Sequence, residues 1–236
     1  TAPALEPRVV DVQGRFVLSY LLDGQPRASS PSEAPAGVAW RQPGQPFRAL
    51  EFSAFRQSVP ALEFRPTRIG DLTFRWSLVP RGPGLLERTL EVTAHSRQSF
   101  AVNFPVTAGL EGEFASFSGP VKEPAVFDTV RGSPRLETFP VAMVRGNGQV
   151  LGLAAASPGL WENRCLVGVD PAAGTLTVFA GDGRDAYPLV LRPPEDARDT
   201  YQYVMDGWQV LGPGETRRFT TWLFAGPARS HYDAQV

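Results

Sequence analysis

Leu72, Phe74, Trp76 and Leu78 alternate with Thr73, Arg75 and Ser77, so the apolar side chains of this stretch share one side of an extended chain. Successive side chains of a strand point to opposite faces, whereas a helix needs its apolar residues three and four apart. The stretch is therefore a half-wet strand. After the turn Gly82-Pro83-Gly84 the pattern resumes, with Leu86, Leu90 and Val92 opposing Glu87, Thr89 and Glu91, which predicts a hairpin. Phe100, Val102, Phe104 and Val106, interleaved with Ala101 and Asn103, predict another strand.

The same signals recur along the chain. Residues 141–144 and 150–155 flank Arg145-Gly146-Asn147-Gly148, an Asn-Gly turn of the hairpin kind. Residues 164–169 and 175–179 flank Asp170-Pro171-Ala172-Ala173-Gly174. Further strands are expected over 15–22, 47–55, 187–191, 201–210 and 216–224. The 23 prolines and 23 glycines exclude a long helical bundle, because a proline inside a helix costs about 3 kcal/mol. The expected fold is all-β: a two-sheet antiparallel β-sandwich of about a dozen strands, each sheet burying its apolar face against the other. The 42% of hydrophobic residues are enough for its core. No fixed-period repeat appears, so one domain is expected over residues 1–236. Residues 1–7 read as an extended lead-in, 26–46 as a long Ser/Pro/Ala/Gly-rich loop, and 230–236 as the start of a linker to a downstream domain.

A net charge of -1 with no basic stripe argues against a nucleic-acid partner. No apolar run approaches the length needed to cross a bilayer as a helix. The lone Cys165 and the separated His95 and His231 have no second ligand at metal-binding spacing, so neither a metal nor a cofactor is expected. Cys165 reads as a strand thiol and His95 as a turn residue after a strand. No nucleophile elbow, phosphate loop or dinucleotide fingerprint occurs.

The candidate site is a polar-aromatic run, Trp161, Glu162, Asn163 and Arg164. A flat ring beside amide, carboxylate and guanidinium groups suits a sugar, whose C–H face stacks while its hydroxyls are hydrogen-bonded. The same residues suit an interdomain contact or simple end-packing with a local ion pair. Asp182 and Asp185 lie in Gly181-Asp182-Gly183-Arg184-Asp185, where turn chemistry competes with an acid–base or cation-binding role. Trp208, after Met205-Asp206-Gly207, reads as an exposed ring beside a bulge. A self-contained enzyme would use Glu162 with Asp182 or Asp185 as acid and base.

Two stretches carry a resemblance. Phe139-Pro140-Val141-Ala142, Gly152-Leu153-Ala154-Ala155 and 158–164, together with 204–222 running into 231–235, resemble the N-terminal β-supersandwich (galactose-mutarotase-like) domains of bacterial multidomain glycoside hydrolases. The likeness covers about residues 136–236. It implies a non-catalytic accessory domain packed on a downstream (α/α)6 catalytic domain of the same polypeptide, secreted or periplasmic. A domain of this kind shapes the rim of its neighbour's active site, with Trp161 to Arg164 as the loop to watch and carbohydrate as the ligand. A mutarotase centre needs a histidine pair and a carboxylate, which His95 and His231 do not supply in the expected context. Residues 219–227 also resemble the end of the periplasmic supersandwich of a bacterial membrane-protein insertase, the alternative reading.

Overall fold

The computed structural model describes residues 5–12, 15–58, 61–117, 119–128, 141–155, 165–180 and 208–227. Over these residues the chain is a two-sheet antiparallel β-sandwich with no helix, as the alternation requires. The first sheet runs β1 (Leu5–Val12), β2 (Arg15–Leu22), β3 (Gln25–Ser29), β11 (Gln98–Ala108), β18 (Thr175–Ala180), β17 (Cys165–Asp170), β14 (Ala125–Asp128). The short strands β4 (Ala39–Arg41) and β19 (Gln209–Leu211) also pair with β11, and β5 (Arg48–Ala49) pairs with β4.

The second sheet runs β13 (Gly119–Pro120), β12 (Glu113–Ser116), β15 (Val141–Gly146), β16 (Gln149–Ala155), β20 (Thr216–Pro227), β10 (Leu85–Ala94), β9 (Leu72–Gly82), β7 (Ala61–Phe64), β6 (Phe55–Ser58). Here β8 (Thr67–Ile69) pairs with β9.

The long hairpins sit where the alternation puts them. Leu78 pairs with Arg88 and Phe74 with Val92 across β9 and β10, and Val144 pairs with Leu151 across β15 and β16. Asn147 and Gly148 take φ of 52° and 69°, the left-handed pair that a two-residue hairpin turn demands. The two sheets are locked face to face by rings. Trp76 of β9 stacks on Phe104 of β11 at 5.8 Å, and Phe219 of β20 meets Phe100 edge-on at 6.1 Å. All four are buried, each contributing about 1.5–3 kcal/mol by leaving water.

Three expectations change. Among the described residues each sheet has ten strands, because pairings of two or three residues are too short to leave a periodic signature. Residues 5–7 of the expected lead-in belong to β1, with Leu5 fully buried. The segment 26–46 carries β3 and β4, and only two residues of the strand expected over 47–55 pair as β5. The strand expected over 187–191, most of that over 201–210, and residues 230–236 lie outside the described residues.

The segment between β3 and β4 positions everything discussed below. On one side β11 pairs with β4 through Ala101 to Asn103 and with β3 through Thr107 and Ala108. Residues 104–106 between them have no described partner strand on that side, and their centre is Pro105, which has no N–H to offer. Residues 30–38 pass through this opening. Leu18 donates its backbone N–H to Pro35 O (3.0 Å) and Ser30 donates to Leu18 O (2.8 Å), which ties the segment to β2. Its inner end reaches the second sheet: the Trp76 indole donates to Ala36 O (2.9 Å) and Arg88 Nη2 donates to Gly37 O (2.9 Å). Ala34, Ala36 and Val38 are buried, because only small side chains fit between the layers.

Gly37 has φ +73°, and a Cβ there would lie 3.1 Å from both Arg88 Nη2 and Tyr20 Oη. Gly44 has the same φ with nothing within 4 Å of its Cβ position. In urea unfolding, Gly44→Ala should cost only the backbone strain of about 1 kcal/mol, and Gly37→Ala at least about 2 kcal/mol. Equal costs would show that the passage beside Gly37 is not crowded.

Candidate functional site

The inward residues of β11 and β18 build the core, so their intervening residues face outward. These are Ala101, Asn103 and Pro105 on β11, and Thr175, Thr177 and Phe179 on β18. Register places them in rows: Ala39, Asn103 and Phe179 across three strands, then Pro105 beside Thr177. An outer sheet face is ordinarily wet, yet Thr177, Phe179 and Arg41 are buried. Residues 44–47 line it on one side and Glu33 and Ala34 on the other. The result is a cleft of about 570 Å³.

Its floor and walls combine ring, amide and hydroxyl surfaces. Phe47 packs on the small outer cluster of Val126, Leu166 and Phe179, with its ring 6.5 Å from that of Phe179. The Arg41 guanidinium lies 4.7 Å from the Phe47 ring centre and 5.2 Å from that of Trp208. Planar guanidinium groups are held well by such ring faces. Gln45 accepts a hydrogen bond from Arg48 Nη2 (2.9 Å), and Ser32 Oγ donates to Glu33 Oε2 (3.0 Å). The Asn103 carboxamide oxygen is buried among the described residues without a hydrogen-bond partner. A buried carbonyl in that state costs roughly 1–3 kcal/mol, so its presence on a cleft floor marks an acceptor held ready for a donor.

Of the residues singled out from the sequence, Trp208 is described. It is half-buried against Arg41 and not the exposed ring expected, because β19 leads it onto the edge of the first sheet. Trp161, Glu162, Asn163, Arg164, Asp182 and Asp185 lie outside the described residues. Asn103, Arg41, Phe47 and Thr177 were not anticipated as a group. The available signal was an asparagine and a proline two residues apart on a strand otherwise apolar on both faces.

His95 sits away from the cleft, after β10, with Nε2 2.8 Å from Thr73 Oγ1 and its backbone N–H donated to Asp71 O. That is the turn role read from the sequence. Among the described residues no cluster of three His, Cys, Asp or Glu side chains is placed to hold a metal, and the cleft has one carboxylate, Glu33, and no imidazole.

No known family model matches the chain, and no curated protein is similar to it in sequence. Several solved structures are similar to it. The Slr1438 protein from Synechocystis sp. PCC 6803 is similar over 96% of this chain and 98% of its own, with TM-score 0.53 and 8% identity. A galactose mutarotase-like protein from Lactobacillus casei is similar over 93% of this chain and all of its own, with TM-score 0.47 and 11% identity. Heparan sulfate lyase HepC from Pedobacter heparinus is similar over 92% of this chain, which spans 31% of the lyase, with TM-score 0.46 and 8% identity. At such identities the likeness is one of fold: an all-β, two-sheet sandwich shared with the Slr1438 protein over the length of both chains.

Asn103→Ala should leave the urea midpoint unchanged or slightly raised, since no hydrogen bond of the carboxamide oxygen is lost. Arg41→Ala should lower stability by about 1–2 kcal/mol and shift Trp208 emission to the red as the stacked cation is removed. A stability loss at Asn103 would mean that the amide is structural.

Proposed function

We propose that this chain is a carbohydrate-binding accessory domain of a carbohydrate-active enzyme, with the cleft over β11 and β18 as its sugar site. The carrying observation is the Asn103 oxygen, buried without a hydrogen-bond partner among the described residues, in a cleft that Thr177 and Phe47 also line. A sugar ring offers what these groups lack. Its hydroxyls donate to the amide oxygen, and its C–H face covers an aromatic ring. The roughly 570 Å³ cleft is of the size that takes a small ligand.

Binding without turnover is the reading these residues support. Glycosidic cleavage needs two carboxyl groups about 5–9.5 Å apart, and the described cleft residues supply Glu33 alone. Catalysis is then the work of a downstream (α/α)6 domain of the same polypeptide, as the resemblance over residues 136–236 implies, in a secreted or periplasmic setting.

Titrating the chain with mono- and oligosaccharides while following tryptophan emission tests the reading, since Trp208 lies against Arg41 at the cleft. Saturation in the millimolar range is expected. Asn103→Ala should weaken it about tenfold, roughly 1.4 kcal/mol. Unchanged spectra at high millimolar sugar, or turnover of aryl-glycosides by the chain itself, would each refute the proposal.

A further inference from the structure

A second cavity, of about 460 Å³, is lined from β2, from β7 and from residues 49–53. Its apolar part is aromatic. Phe52 and Phe64 are buried, with ring centres 4.9 Å apart. Phe16 continues the inward register of Leu18, Tyr20 and Leu22, yet those three are buried while Phe16 is 41% exposed. Its ring is held by an edge-to-face contact with Phe55, at 5.4 Å, and lines the cavity.

The polar part consists of the Glu33 and Glu51 carboxylates, the Ser32 and Ser53 hydroxyls and the Arg15 guanidinium. Carboxylates accept, the guanidinium donates and hydroxyls do both. A sugar uses all of these at once, because its hydroxyls donate and accept while its C–H face covers a ring. An alkyl chain would use the rings alone.

This cavity and the cleft share their walls. Glu33 lines both, its carboxylate held by the Ser32 hydroxyl at 3.0 Å. On the other wall the chain runs from residues 44–47 of the cleft into residues 49–53 of the second cavity. Ala39 of the cleft pairs directly with Ala49 of the second cavity across β4 and β5. The two linings therefore come within one strand spacing, about 4.8 Å, of each other. Building on the sugar-site reading above, we infer that the cleft and this cavity form one groove for an oligosaccharide. The cleft takes one sugar unit and the Phe16 cavity takes a neighbouring unit of the same chain, with Glu33 common to both.

Calorimetric titration of the full chain tests this with glucose, mannose, galactose and xylose, and with the homotetrasaccharides of each. For the sugar that binds, the tetrasaccharide should bind the wild type at least about tenfold more tightly than the monosaccharide, since it covers a second aromatic surface. Phe16→Leu keeps an apolar side chain against Phe55 but removes the ring face, and Glu51→Gln changes only the polar lining. Each should weaken the tetrasaccharide, the first about tenfold, and leave the monosaccharide unchanged. Asn103→Ala should weaken both ligands. Equal wild-type affinities for monosaccharide and tetrasaccharide overturn the groove alone and leave the cleft as a site for a single sugar. So does a tetrasaccharide affinity that neither Phe16→Leu nor Glu51→Gln changes, or a loss that falls equally on the monosaccharide. If no sugar of the series binds the wild type, the reading of the cleft fails and the groove fails with it.

Discussion

The hydrogen bond from Arg88 to the Gly37 carbonyl is the contact on which the arrangement of both layers turns. Desolvating a guanidinium is costly, and among the described residues no acid repays it. The rings of Tyr20 and Trp76 on either side recover part of the cost. What the contact secures is the passage of residues 30–38 through the opening beside Pro105. Without that passage the first sheet would have a hole in its middle, and Trp76 would lose the carbonyl that receives its indole N–H.

The same segment has two sides with opposite characters. Glu33 and Ala34 face the cleft, while Ala36 and Gly37 face the interior. A few residues thus separate a solvent-open pocket of amide, hydroxyl and ring surfaces from an enclosed cluster of donors. The outer face of the second sheet is a different surface again. There Glu87 pairs with Arg81 and Glu91 with Arg218, and Thr93 hydrogen-bonds Thr216 across the strands. Exposed pairs of this sort contribute little to stability and keep that face wet.

Much of the framework was legible because burial on one side of a strand writes itself into the sequence every second residue. The strands expected over 72–78, 85–93, 100–106, 141–144 and 150–155 follow from that rule and from Asn147-Gly148, and each lies within an observed strand. The rule fails where burial is two-sided or the backbone irregular. Residues 26–46 read as a surface loop because the small residues that let a chain slip between two sheets are also the residues of loops. Arg88 carried a signal that went unused: an arginine in the inward register between two leucines. The cleft was hidden for a related reason, since Arg41, Asn103 and Thr177 are far apart in sequence and meet only through the β4–β11–β18 register. The aromatic and acidic run 161–164 and the aspartates 182 and 185, read from their density in the sequence, lie outside the described residues.

Pro105 has a mechanical meaning beyond its place in the ladder. It stands in residues 104–106 of β11, which among the described residues are paired on a single flank, directly under the cleft. The floor of the pocket is therefore also a singly laced part of the layer. A molecule bridging Asn103 and the wall at Phe47 would serve there as the missing rung, so occupancy of the pocket and cohesion of the sheet become one quantity.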